Sequence, residues 1–332
     1  MTVSAGQLEV DAPPVAPVET SKIVGRSPWQ IARSRLRRDR VSMAALTVVC
    51  IYAVVAVAAP FLENVGVIDP YNRYPNLLRL EDAMPSGSFG GVSGSHWLGV
   101  VPQSGWDVLS RLVSGVTLSM LIAVSATLFS IVVGTVVGIV SGYMGGKVDF
   151  VLGRALDLIL AFPQLLMLLA LSVVLIDKIT NLGVPAGTPS RIVYLILVLG
   201  FFGFPYFARV IRGQVLSLRE REFVEAARSL GARGPRIWFT ELLPNLWAPI
   251  LVFTSLILPA NVSTEAALSF LGVGVGVPTP TLGNILTDSV NFLVSDPTYF
   301  ILPGLAIFAI VLSFNLLGDG LRDALDPKTD RH

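Results

Sequence analysis

The sequence has 332 residues, of which 53% are hydrophobic and only 14% are charged, against about 25% charged in an average soluble domain. Its 24 basic and 23 acidic residues nearly cancel, so the net charge gives no support for a nucleic-acid partner. The single cysteine, Cys50, excludes an intrachain disulfide, and the presence of only two histidines argues against a histidine-based metal or acid–base centre.

The first 42 residues divide into two parts. Residues 1–27 have a low density of apolar side chains, which predicts a disordered cytoplasmic tail. In residues 28–42, Trp29, Ile31 and Leu36 recur at roughly helical spacing among arginines, a pattern typical of an amphipathic helix in the membrane interface. A basic anchor that only fixes the topology is the alternative interpretation.

Six apolar segments follow, each near the length of about 20 residues that a membrane-spanning helix requires. An isolated strand in lipid would leave its backbone N–H and C=O groups unpaired, so each segment must be helical. The predicted spans are residues 43–62, 112–140, 150–176, 191–210, 247–271 and 299–317. The sequence therefore predicts an all-α integral membrane protein with six transmembrane helices.

Lysine and arginine are concentrated in residues 22–40 and 212–236, whereas residues 272–298 contain neither. Because short basic loops stay in the cytoplasm, the N-terminus is predicted to be cytoplasmic, and six spans return the C-terminal tail, residues 321–332, to the same side. The remaining predicted regions are an extracytoplasmic cap at 63–111, a membrane core at 112–320 and, within it, an inner loop at 212–245.

The inner loop carries a motif with a recognisable spacing. Glu225-Ala226-Ala227 is followed after three residues by Gly231, and Leu243-Pro244 lies further downstream. Small alanine side chains let a partner surface approach closely, and a glycine allows a sharp turn. The motif resembles the EAA loop of permeases in ABC-type importers, although Ile237 comes earlier than the family's pattern asks.

The resemblance implies a coupling role, because in that family the loop forms a helix that docks into a groove on the cytoplasmic ATPase. It assigns ATPase coupling to Glu225, Ala226, Ala227, Gly231, Leu243 and Pro244. The sequence contains no Walker-type ATP-binding motif. We therefore expect that ATP is hydrolysed by another subunit and that this chain is not an enzyme.

Further blocks narrow the resemblance to the C-type permease subunits of dipeptide and oligopeptide importers, a family that also serves nickel. They include residues 96–99 (HWLG) before the second span, 268–272 (LSFLG) at the end of the fifth, and 315–319 (NLLGD) in the sixth. The resemblance covers residues 28–328 and implies the fold of a type I ABC importer permease.

The same resemblance implies partners and a location. The expected complex contains a second, related permease, two ATPase subunits or domains that bind ATP and Mg²⁺, and an extracytoplasmic substrate-binding protein. The expected location is the cytoplasmic membrane of a bacterium. No cofactor, metal site or catalytic residue is expected in this chain itself.

Several polar residues lie deep in the fifth span, among them the three residues Asn261, Thr264 and Glu265, with Ser263 between them. An ionisable side chain at membrane depth is costly unless it has partners or contacts water. Glu265 should therefore face either a partner helix or an aqueous translocation path, and the three residues are candidates for lining that path.

A second polar group lies at the start of the third predicted span. Asp149 and Arg154 are five residues apart, and Arg154 and Asp157 are three apart, so that Arg154 and Asp157 occupy neighbouring helical positions. This spacing favours a structural ion pair near the inner membrane face. A proton relay is the less favoured alternative.

The sequence does not identify the cargo. The resemblance favours di- or oligopeptides, but nickel and other small solutes such as glutathione or haem stay open. A secondary transporter driven by an ion gradient is a rival, although no inverted repeat is visible. A membrane-embedded enzyme is another, although no catalytic cluster is visible within the spans.

Overall fold

The computed structural model describes residues 28–325, which are helical apart from the connections and contain isolated bridges but no strand. The helices are α1 (Pro28–Arg38), α2 (Arg40–Asn64), α3 (Val108–Met144), α4 (Gly146–Ala161), α5 (Gln164–Asn181), α6 (Thr188–Leu218), α7 (Glu222–Ser229), α8 (Gly234–Arg236), α9 (Trp247–Phe270), α10 (Leu282–Ser289) and α11 (Pro297–Leu325). The predicted tail 1–27 and residues 326–332 lie outside the described residues. So do the side chains of Trp29 and Ile31, and the amphipathic interpretation of residues 28–42 stays a prediction.

Six helices are long and apolar enough to cross a membrane: α2, α3, α5, α6, α9 and α11. The predicted all-α membrane fold is thus confirmed, but the predicted third span, 150–176, is wrong as a single helix. Phe162 has an extended backbone (φ −87°, ψ 136°) and separates α4 from α5. Pro163 explains the break, because proline lacks an N–H and disfavours helical geometry in the residue before it.

Several helices are longer than hydropathy predicts. The α6 helix continues to Leu218, so the inner loop begins at about Arg219 rather than at residue 212. The α11 helix continues to Leu325, so residues 321–325 of the predicted tail are helical. In both helices the polar end extends past the apolar stretch, where hydropathy no longer distinguishes helix from loop.

The α3 and α6 helices pack closely against each other. Gly134, Gly138 and Gly142 recur at every fourth position along one face of α3. A Cβ atom added to Gly138 would lie 2.7 Å from the carbonyl oxygen of Ala208 and 2.7 Å from Cβ of Ile211. Small residues at this spacing let membrane helices approach backbone to backbone. The glycine repeat is visible in the sequence, but hydropathy alone does not detect it.

Replacing Gly138 by alanine is expected to destabilise the protein by about 1–3 kcal/mol, the typical cost of forcing an extra methyl group into a packed core. The matched control is Gly153→Ala in α4, where an added Cβ meets nothing within 4 Å. That change should leave stability unchanged or raise it slightly, because alanine favours helix. Thermal unfolding of the two purified variants in the same detergent measures the difference, and equal melting temperatures would contradict the packing argument.

The connections collect at two opposite ends of the bundle. At one end the carbonyl oxygens of Pro70 and Pro278 both accept from Arg111, at 3.3 and 3.1 Å, and Thr188 lies 3.2 Å from Thr279 through their hydroxyls. At the other end Arg219 donates to the carbonyl oxygen of Gly142 at 3.0 Å. The loops predicted to be extracytoplasmic therefore share one end, which we call the outer end. The other end, which holds α7, is called the inner end.

The predicted cap between α2 and α3 is an irregular but well-bonded structure. Trp106 lies between two guanidinium groups, with Arg73 5.0 Å and Arg111 4.1 Å from its ring centroid. Asp107 accepts from the backbone N–H of Ser110 at 2.7 Å, which caps α3, and lies 2.9 Å from Nδ1 of His96. The cap is thereby fixed to the first turn of α3.

Candidate functional site

The most exposed short helix of the inner end is α7, which holds the predicted coupling motif. Its residue Val224 is completely buried and packs in one cluster with Ile237 and Leu242. The rest of the helix is mostly exposed, including Glu225 and Ala226. The apolar anchor holds the helix against the bundle, while its opposite face stays open to a partner.

Three of the predicted coupling residues, Glu225, Ala226 and Ala227, lie in α7; Gly231 follows its end, and Leu243 and Pro244 lie in the turn before α9. Glu225, Ala226, Gly231 and Pro244 are exposed, and Ala227 and Leu243 are half-buried. Gly231 has a φ of +82°, and an added Cβ would meet nothing within 4 Å. The chain therefore turns sharply at Gly231 in a conformation that glycine adopts at no steric cost.

A cavity of about 440 Å³ lies beside the end of α7. It is lined by Ala227, Leu230, Gly231, Ala232, Arg233, Arg236 and Glu241. Leu230 on its rim is 89% exposed. The combination of an exposed apolar side chain, small residues and charges is typical of a protein-contact surface.

The exposed helix is tied to two of the spans. The guanidinium of Arg228 lies 5.1 Å from the ring centroid of Tyr143, in the last turn of α3, and Nε of Arg228 lies 3.4 Å from its hydroxyl. On the other side, residues Ile237–Leu242 form a π-helical turn that leads towards α9. A displacement of α7 would thus act on the inner ends of both α3 and α9.

An ion pair joins α4 to α6 at the inner end. Arg212 donates to Asp149 through Nε at 2.5 Å and through Nη2 at 2.6 Å, and the side chain of Asp149 is only 19% exposed. The structure thus places Asp149 against Arg212 and not against Arg154. Arg154 lies 3.5 Å from Asp157, and Asp157 also contacts Arg209.

The Arg212 contact also affects the acidity of Asp149, which lies in α4, outside the six spans. Its pKa is lowered from 3.8 to about 2, mainly by the hydrogen bonds from Arg212, against the opposing effect of burial. A carboxyl group with a lowered pKa in the folded state stabilises the fold above its unfolded pKa. This contribution should therefore be complete above about pH 4 and be lost as the pH falls towards 2.

The two acidic residues of α4 are expected to differ in their importance. Asp149→Asn should lower stability by about 2 kcal/mol, since it removes a bidentate, charge-assisted pair. The matched change Asp157→Asn should cost less than about 1 kcal/mol, because Asp157 and its partners are about half exposed or more. Thermal unfolding at neutral pH and at pH 3 tests both statements. Equal losses for the two variants would show that burial does not set the strength of these pairs.

Glu265 lies at the junction of three helices. It is completely buried and accepts hydrogen bonds from the hydroxyls of Ser119 in α3, at 2.9 Å, and Ser269 in α9, at 3.0 Å. The Ser119 oxygen in turn accepts from the backbone N–H of Leu282, the first residue of α10, at 3.0 Å. Of the two interpretations made from the sequence, the structure shows Glu265 facing partner helices.

Asn261 and Thr264, the other two residues of the predicted path, lie in different environments. Asn261 is buried and donates to the Thr127 hydroxyl of α3 at 2.9 Å, so it also faces a helix. Thr264 is half-buried and donates to the carbonyl oxygen of Ala260 in its own helix at 2.8 Å. The interpretation of Asn261 and Glu265 as residues that line an open path is wrong for this conformation. The pairing with Ser119, 146 positions away, left no signal in the sequence.

In residues 28–325, no group of three or more His, Cys, Asp or Glu side chains could hold a metal ion. The candidate functional site of this chain consists of two parts: the exposed contact surface on α7 and the buried polar network around Glu265.

Comparisons with known proteins place these features in a family. The sequence profile described as binding-protein-dependent transport system inner membrane component matches residues 134–331, which is more than half of the chain. The profile described as the N-terminal TM domain of oligopeptide transport permease C matches residues 27–80.

Individual relatives agree with the profiles. A dipeptide transport system permease protein, DppC, of Alkalihalophilus pseudofirmus is 33% identical over 95% of each chain. A glutathione transport system permease protein, GsiD, of Shigella flexneri is 37% identical over 91% of each chain, and a GsiD of Escherichia coli is 36% identical.

A solved structure supports the fold alone. The MetNI methionine ABC transporter in an inward-facing conformation matches 66% of this chain and 97% of its own with a TM-score of 0.52, at 20% identity. Family membership decides against the gradient-driven transporter and the membrane-embedded enzyme that the sequence left open. The chain belongs to the binding-protein-dependent transport system inner membrane components, as a C-type permease subunit of the peptide-type ABC importers.

Proposed function

We propose that this chain is one of two pore-forming subunits of an importer that moves di- or oligopeptides into the cytoplasm at the expense of ATP hydrolysed by partner ATPases. A second, related permease would complete the pore, and an extracytoplasmic binding protein would deliver the cargo. ATP and Mg²⁺ would bind to the partners, since this chain carries no phosphate-binding motif.

The observation that carries this proposal is the open face of α7. Two small residues, Ala227 and Gly231, line a cavity of about 440 Å³. Ala226 next to Ala227 is exposed, and the buried Val224 holds the helix from behind. Such an anchored helix with one open face suits a mechanical contact with another subunit. The tie from Arg228 to Tyr143 offers a route by which that contact would move the spans.

The orientation follows from charge. The inner loop after α6 carries Arg219, Arg221, Arg228, Arg233 and Arg236. Short basic loops stay in the cytoplasm, which supports a cytoplasmic position for α7, for the N-terminus and for the C-terminus in a bacterial inner membrane.

The cargo is supported by the relatives. Two of them are a dipeptide and a glutathione transport permease, and both cargoes are small peptides or peptide-like molecules. No arrangement of metal-ligating side chains in the described part of the chain favours nickel.

Reconstitution tests the proposal directly. The complex of this chain with its second permease, ATPase and binding-protein subunits is placed in lipid, and its ATPase rate is measured as a peptide library or nickel is added. We expect stimulation by peptides of one length class. Stimulation by nickel alone would keep the importer and overturn the peptide cargo, and uptake that follows an ion gradient without ATP would overturn the importer.

A further inference from the structure

Two cavities meet at Arg191, near the outer end of the bundle. The first has a volume of about 240 Å³ and is called the outer cavity here. Its lining includes Arg191 of α6, Gly274 in the loop after α9, and Asn284, Asp288 and Asn291 in or beside α10. The second, of about 510 Å³, shares Arg191 and Gly272 with the first and is lined by α5 on its other side.

Arg191 brings a positive charge to the outer cavity. It is half-buried, and within residues 28–325 the one hydrogen bond of its guanidinium runs from Nη1 to the carbonyl oxygen of Gly274 at 2.8 Å. None of the ion pairs found among these residues includes Arg191. A guanidinium has five N–H donors, so most of its donors stay available to a ligand.

Asp288 brings a negative charge to the same cavity. It is half-buried and accepts a hydrogen bond from the Tyr299 hydroxyl at 2.9 Å. No basic group of the described chain lies within 4 Å of its carboxylate. The buried guanidinium of Arg111 acts on it only at longer range. One cavity thus holds two opposite charges that do not neutralise each other directly.

The position of Asp288 is fixed by the structure around it. Asn284 donates to the carbonyl oxygens of Val275 and Thr279, at 3.1 and 2.6 Å, and forms a capping box with Thr281 at the start of α10. The N–H of Leu282 is held by Ser119 and, through it, by Glu265. The short helix is therefore rigidly placed, and a rigid site loses little entropy when a ligand binds.

We propose that the outer cavity is a binding site for a zwitterion, the free termini of a short peptide. The α-carboxylate would contact Arg191 and the α-ammonium group would contact Asp288. The neighbouring cavity of about 510 Å³ gives room for a side chain. The inference rests on the proposed function, since it names the chemical group by which this subunit receives peptide cargo. A bare metal cation does not fit, because Arg191 would repel it.

The test uses the whole lipid-reconstituted complex without the binding protein, so that delivery does not limit the result. The probe is a dipeptide with free termini that contains benzoylphenylalanine, which forms a covalent bond to nearby C–H groups under ultraviolet light. We expect labelling of the segment Asn284–Asn291. Arg191→Gln and Asp288→Asn should each lower it by about tenfold or more, as expected for loss of a charged hydrogen bond.

Three controls make the result decisive. Glu81→Gln removes an exposed carboxylate of the cap that lines neither cavity and should leave the labelling intact. Arg191→Lys and Asp288→Glu keep the charges and should restore part of it, which separates charge from folding. Equal labelling by a peptide blocked at both termini, equal labelling of Arg191→Gln, or no labelling of the unmodified complex would overturn the site. ATP-driven peptide uptake by the unmodified complex, this time with its binding protein, is measured in parallel, and its absence would overturn the proposed function instead.

Discussion

Replacing Gly231 by valine is expected to lower ATP-driven uptake by about tenfold or more, while the amount of protein in the membrane stays unchanged. At a φ of +82° a side chain with a Cβ is strained, at a cost of roughly 1–2 kcal/mol for one residue. A branched residue would relieve the strain by moving the end of α7. It would also place bulk on a face that is otherwise open.

A matched variant separates coupling from backbone strain. Gly183 follows Leu182 at the end of α5 as Gly231 follows Leu230 at the end of α7, and an added Cβ at Gly183 (φ +101°) also meets nothing within 4 Å. Gly183→Val carries a similar strain at the outer end and should keep most of the uptake. Uptake is measured as ATP-dependent accumulation of a labelled peptide in proteoliposomes. Normal uptake by Gly231→Val would remove α7 from the coupling mechanism.

Glu265→Ala is expected to be the most destabilising change in the membrane core, with a loss of about 3–5 kcal/mol. The variant leaves a cavity where a completely buried side chain stood and removes the acceptor of two serine hydroxyls. The start of α10 should loosen as well, since Leu282 is held through Ser119. Thermal unfolding and limited proteolysis of the loop between α9 and α10 report the two effects.

Glu265→Gln distinguishes a structural role from a role in transport. Glutamine fills the same space, and its amide can accept from one serine and donate to the other after a rotation of that hydroxyl. We expect nearly normal stability and uptake in this variant. A stable Gln variant without uptake would show that the charge of Glu265 acts in transport. That result would support the hypothesis that Glu265 lies on the translocation path.

The existence of six spans could be predicted because each span depends on neighbouring residues. Hydropathy over about 20 residues needs no knowledge of the rest of the fold. The motif from Glu225 to Gly231 is likewise local. The structure places Glu225 on an exposed, anchored helix and Gly231 two residues beyond its end, and the coupling role stays a prediction.

Features that depend on distant partners could not be predicted. Asp149 pairs with Arg212, which lies 63 positions away. The sequence-based prediction instead grouped Asp149 with Arg154, which is nearer in the sequence. The break at Pro163 and the glycine face of α3 were different, because local rules for proline and for repeated small residues would have indicated both. The shape of the cap left no periodic signal, since its bonds join irregular segments through residues such as Trp106 and Asp107.

The length of α3 has a mechanical consequence. This single helix of 37 residues begins under the cap and ends beside α7. Of the three glycines on its α6-facing side, Gly138 makes the closest contact, against Ala208; it lies six residues from the inner end and thirty from the outer end, or about 9 and 45 Å at a rise of about 1.5 Å per residue. If α3 tilts about that contact as a rigid lever, its two arms differ about fivefold. A shift of about 1 Å at the inner end of α3 would then swing its first turn, under the cap, by about 5 Å in the opposite direction.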